Sequence, residues 1–127
     1  MKVRLYLAIA GIIAIAYAIG FLAAPRKLLA LYGQDPDPAA VLNIRFFASA
    51  LLGWGVILWL ARDLRDRAAL RAILIGTALA DAVGCLVNVR GTYVGILNSM
   101  GWSTTILYVA LLAGALYCLS VDSRQTA

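Results

Sequence analysis

Four long apolar runs, at 5–24, 41–61, 70–89 and 102–120, dominate this chain and restrict what it can become. At about 1.5 Å of rise per helical residue, some 20 residues cross the ~30 Å hydrocarbon core of a bilayer. Each run meets that length. The 127 residues are 64% hydrophobic and 13% charged, with a mean hydropathy of +0.91. Soluble domains are about half apolar and about a quarter charged, so lipid is the expected solvent for most of this chain. The pattern predicts an all-α fold, an integral membrane four-helix bundle with short loops. Residues 1–127 form a single four-span transmembrane domain, and the lipid bilayer is its first partner.

Small residues recur where membrane helices approach closely. Ala10, Ala14 and Ala18 repeat every fourth residue in the first run, as do Gly76, Ala80 and Gly84 in the third. The first run follows Lys2 and Arg4 but exceeds the ~7–15 apolar residues of a signal peptide, and so reads as a retained helix. Between the first two runs, "PRKLLALYGQDPDPAA" is more than a plain loop. Pro25 starts a helix well, Leu28, Leu31 and Tyr32 share a face, and Gly33 ends it. One short interfacial helix is expected there, an amphipathic connector or a lid.

The net charge of +5 is spread between the runs, which fits topology signalling and no nucleic-acid partner. Lys2, Arg4, Arg62, Arg65, Arg67, Arg71 and Arg124 fall on one side, seven of the eleven basic residues; Arg26, Lys27, Arg45 and Arg90 fall on the other. The positive-inside rule then puts both termini in the cytoplasm, with a bacterial inner membrane as the expected location. Tyr6, Trp59 and Tyr117 near one boundary, and Tyr32, Tyr93 and Trp102 near the other, match aromatic belts.

The chain has no His, and its six acids are all Asp. Without imidazole, most zinc, copper and haem sites are excluded, and no cofactor or metal is expected. Cys85 and Cys118 form no C-x-x-C motif and fall in opposite halves of the bilayer, so both are expected as free, buried thiols.

Polar residues inside the runs are the candidate site. Arg45 lies four residues into the second run; it either snorkels to the outer headgroups or clamps an anion inside the bundle. Asp81 sits near the middle of the third run, where an ionised carboxylate costs about 2.5–3.5 kcal/mol. It must be paired, hydrated or protonated. Thr77, Asp81, Gly84 and Asn88 follow at helical spacing and are expected to face the bundle interior or a second subunit. Tyr17, Ser49, Asn88, Thr104, Thr105 and Tyr108 all fall in the outer halves of their runs, while the inner halves are nearly bare. If they converge, they line a pocket that opens outward and is closed below by Leu, Ile and Trp. Taken singly, each hydroxyl has an alternative partner in its own backbone one turn away.

The segments "APRKLLALYG", "DPAAVLNIRFFASALLGWGVILWLAR", "ADAVGCLV" and "NSMGW" give the chain a layout that resembles bacterial four-helix integral membrane proteins of unknown function, the DoxX-like group. The likeness covers most of the chain. It implies a compact four-helix bundle with Arg45 at the recurrent arginine position, and it implies no activity. Small multidrug transporters fit less well, since the first run lacks their acid. Dual-topology fluoride channels also fit less well, because their Gly-rich Arg motif is missing.

These readings point to a binding or accessory membrane protein. Arg45, Asp81, Asn88, Ser49, Tyr17 and Tyr108 would hold an anionic or amphipathic small molecule or a lipid. A proton-linked small transporter acting as a homodimer, and a structural subunit of a larger membrane complex, are the alternatives. An enzyme is the least supported, because neither a nucleophile–base pair nor a metal site assembles from these residues.

Overall fold

The computed structural model describes residues 2–125 and contains five helices in sequence: α1 (Lys2–Ala23), α2 (Pro25–Leu31), α3 (Pro38–Ala61), α4 (Arg67–Tyr93) and α5 (Met100–Gln125). No strand occurs among the described residues. The helices α1, α3, α4 and α5 are each long and apolar enough to cross a membrane. They pack as an up-and-down bundle, which is the build of a multi-pass membrane protein. Lys2 Nζ donates to the Tyr117 hydroxyl at 2.8 Å, and Arg4 pairs with Asp63 at 3.0 Å. Both chain ends and the α3–α4 turn therefore share one end of the bundle, the terminal end. The other, the α2 end, carries α2 and the α4–α5 loop.

Local chemistry sets the helix limits, and each long helix extends past its apolar run. Asp37 caps α3 by accepting from the Ala40 N–H, with Pro38 at the first helical position. Asp66 caps α4 by accepting from the N–H groups of Ala68 and Ala69. Two of the six acids are thus structural caps. α2 and α4 both finish in a Schellman motif built on a glycine in the left-handed region. At α2, Gln34 N–H reaches the Leu29 carbonyl and Gly33 N–H reaches that of Ala30; at α4, Ile96 N–H reaches Gly91 and Gly95 N–H reaches Thr92.

The bundle is two tight pairs placed side by side. α1 runs along α3 and α4 along α5, while the pairs meet more sparsely. The α1–α3 seam is made of small residues: Ala10, Ala14, Ala18, Ala48 and Gly55 are buried. At Gly11 and Gly55 the backbones nearly touch, since a Cβ on Gly11 would sit 3.0 Å from the Gly55 carbonyl oxygen. The stripe Gly76, Ala80 and Gly84 on α4 builds no such seam, because Ala80 is exposed.

At the terminal end, Leu7, Ala10, Leu58, Ala61, Leu74 and Cys118 bring all four long helices into one dry core. Cys85 and Cys118 are free thiols. Tyr6 departs from its expected place in the aromatic belt. It is turned inward, its hydroxyl donating to the Leu111 carbonyl at 2.9 Å and its ring lying against Gly114. Large apolar side chains such as Leu5, Ile12, Phe46, Leu60, Leu79, Leu86 and Ile106 cover the outside. A belt of that size is stable against lipid and unstable against water.

Candidate functional site

Between the two pairs, above the dry core and toward the α2 end, lies a cavity of about 270 Å³. Every long helix contributes a row at three- and four-residue spacing, the periodicity of one helical face. The rows are Ala10, Ile13, Ala14, Tyr17 and Phe21 on α1, and Ile44, Phe47, Leu51, Trp54 and Leu58 on α3. α4 adds Thr77, Asp81 and Asn88, and α5 adds Thr104, Leu107, Tyr108 and Leu111. Leu29, Tyr32, Gln34 and Leu97 complete the wall at the α2 end.

Four of the six residues expected to form a site meet here: Tyr17, Asp81, Asn88 and Tyr108. Arg45 and Ser49 do not. Both are exposed on α3, roughly 140° and 180° around the helix from its cavity face at about 100° per residue. Arg45 therefore belongs to the outer surface, leaning toward its own N-terminus as a snorkelling side chain does. The Ser49 hydroxyl donates to the Phe46 carbonyl. Chain order placed these two at the right depth, but azimuth takes them out of the cavity. Thr105 also lies outside the cavity lining; its hydroxyl accepts from Asn88 Nδ2 at 2.7 Å.

Several polar atoms of the wall are already spent on the fold. Thr77 Oγ1 donates to the Ile73 carbonyl one turn back. Asn88 Nδ2 donates to the Gly101 carbonyl at 2.6 Å as well as to Thr105, tying α4 to α5. The Tyr32 hydroxyl is paired with that of Thr104. Replacing Asn88 by Leu is expected to lower bundle stability by about 1 kcal/mol, the scale of interhelical hydrogen bonds in membranes, as read by thermal unfolding in detergent.

Asp81 is not among them. It is 8% exposed, and its Oδ2 is buried with no hydrogen-bond partner. No Lys or Arg lines the cavity. Gly84, one turn toward the α2 end, lies so close to Tyr108 that a Cβ there would come within 2.7 Å of the ring. Gly76, in the other direction, faces Trp54. Tyr108 thus packs on α4 one turn from the unpaired carboxyl, and Trp54 belongs to the same chamber wall. Phe21 and Phe47 meet edge to face at 6.3 Å in the same wall.

The short helix α2 closes one end. Leu29 is buried and Tyr32 half-buried, both against the cavity. Asn98 fastens this cover to the α4–α5 loop: its N–H donates to the Tyr32 carbonyl and its Nδ2 to that of Leu31, both at 2.9 Å. Asn98→Ala removes the side-chain half of that link. It is expected to speed amide hydrogen exchange across α2 while leaving the interior of α1 protected.

The residues not singled out from sequence are mainly apolar and aromatic: Phe21, Phe47, Trp54 and Leu97, together with Tyr32 and Gln34. The three-and-four spacing of Ile44, Phe47, Leu51, Trp54 and Leu58 was the available signal. In an all-apolar run it does not distinguish a cavity wall from a lipid face.

The fold and cavity together define a class, a bundle of four helices long and apolar enough to span a membrane, with a chamber between its helix pairs. Among known proteins, no protein-family model, no curated protein and no solved structure matches the chain.

Proposed function

We propose that this protein is a membrane binding or accessory protein whose chamber takes up an amphipathic small molecule. The chamber carries this reading. Its wall is largely apolar, it contains one buried carboxyl oxygen without a partner, and a dry core closes it at the terminal end. Ligand sites share this composition, a mostly hydrophobic lining with few placed polar groups. A chamber closed by a dry core at the terminal end and covered by α2 at the other suits binding better than carriage, because a carrier exposes its site to both sides in turn. Placement in a bacterial inner membrane with both termini cytoplasmic, and a DoxX-like kinship, belong to the same proposal. The cytoplasmic orientation of the termini is supported by seven of the eleven basic residues falling toward the terminal end.

Native mass spectrometry of the protein released gently from detergent tests the reading. A discrete added mass is expected on the wild type and not on Leu51→Trp, which fills the chamber from α3. Bare protein in both samples would overturn it.

Proton-linked transport is the second reading, favoured by the same lone Asp81. It predicts that proteoliposomes loaded with a pH dye acidify when an amphipathic substrate is added, and that Asp81→Asn abolishes this response.

A further inference from the structure

Resting on that reading, we infer that the chamber selects a small amphiphilic amine, held as a cation by Asp81 in a wall that also carries Trp54 and Tyr108. The argument begins from charge. Asp81 is the one formally charged side chain of the chamber wall, and Arg45, the residue that would have balanced it or held an anion, lies on the outside. A carboxylate in hydrocarbon needs a counter-charge, a proton or water. An anionic ligand would add a second negative charge beside the first. A neutral ligand leaves the carboxylate's charge uncompensated, whatever hydrogen bond it donates. An ammonium group donates N–H to the carboxyl group that borders the chamber and supplies the missing charge.

Geometry agrees. Tyr108, packed on Gly84 one turn from Asp81, and Trp54 share the chamber wall with the carboxyl. A cation beside such π faces gains further attraction, most of all in a dry site. The apolar stretches of the wall take the hydrocarbon part of the ligand. At about 270 Å³ the chamber falls just below the usual range of ~300–1,000 Å³ for ligand pockets. A compact or single-chain amine fits; the body of a two-chain lipid does not.

Trp54 supplies the readout. In a Trp59→Phe/Trp102→Phe background it is the remaining tryptophan, and its emission reports on the chamber wall. Three probes of matched shape are titrated into the protein in neutral maltoside micelles at pH 7: 2-phenylethylamine, propylbenzene and 3-phenylpropionate. The expected result is saturable quenching by the amine, at an affinity at least about tenfold above either other probe, with that advantage lost in Asp81→Asn.

Saturable binding of all three at similar affinity, or preference for the carboxylate, would overturn the amine inference and leave the binding function standing. Saturation by none would overturn both. The comparison among probes on wild-type chamber residues decides the matter even if Asp81→Asn fails to fold. Displacement of the amine by an ethanolamine lysolipid, and not by its glycerol counterpart, would place the natural amine on a lipid headgroup. Displacement by neither would leave a free amine.

Discussion

Asp81→Leu is expected to make the ligand-free protein more stable. Asp81 is 8% exposed, and its Oδ2 has no donor. Leaving one polar group buried without a partner costs about 1–3 kcal/mol, and removing the group from both states returns that cost. The added volume of leucine has room, because residue 81 borders the chamber. Thermal unfolding in detergent without added amines should show the gain, and ligand retention in native mass spectra should disappear with it. A residue that weakens the fold while equipping a site is a common signature of function. Destabilisation by Asp81→Leu would mean that the carboxyl is already satisfied, by water or another group, and that its role is structural.

Gly55→Leu is expected to have the largest opposite effect. A Cβ at residue 55 would lie 2.8 Å from Ile15 Cγ1 and 3.0 Å from the Ile15 backbone nitrogen, and backbone cannot rotate away as a side-chain tip can. The seam must open along its length. The expected loss is about 3 kcal/mol, the upper end for overpacked cores. α3 contains its own control. Gly53 stands two residues earlier with nothing within 4 Å of its Cβ direction, so Gly53→Leu faces lipid and should leave stability unchanged or slightly raised. Equal effects from both variants in thermal unfolding would show that helix propensity, and not the α1–α3 contact, governs glycine in α3.

The two substitutions bear on different parts of the fold. The seam that Gly55 permits holds α1 to α3, and that rigid pair presents Tyr17, Phe47 and Trp54 to the chamber. α4 carries Asp81 and belongs to the other pair, joined to α5 through Asn88. The carboxyl and most of the aromatic wall therefore sit on opposite sides of the sparse boundary between pairs. A ligand bridging that boundary would stiffen it, so saturating amine should raise the unfolding temperature of the wild type and leave Asp81→Asn unmoved.

The architecture was legible because it depends on quantities that a linear sequence carries. Run length against bilayer thickness called for four long helices. Pro25 and Gly33 marked a short helix between the first two, and the structure contains all five. Even the stripe of Thr77, Asp81 and Asn88 could be placed on one inward face, since helical spacing is local information. Depth is local as well, and for this reason Tyr17, Asp81, Asn88 and Tyr108 could be grouped before any fold was known.

Azimuth between helices is not local, and here the tertiary structure decided. Arg45 and Ser49 share the depth of the chamber but point away from it, because α3 turns Ile44, Phe47 and Leu51 inward. In a run apolar on every side, no hydrophobic contrast marks which face meets a neighbour; packing of small residues such as Gly11 and Gly55 chooses it. That choice left Asp81 without a cation, set Trp54 and Tyr108 in the same wall, and made a chamber where the two helix pairs meet sparsely. The sequence by itself determined that the chain spans a membrane four times and buries one carboxyl at mid-depth. Only the three-dimensional packing determined what surrounds that carboxyl, because side-chain rotation about four parallel axes is set by contacts between helices and by nothing within any one of them.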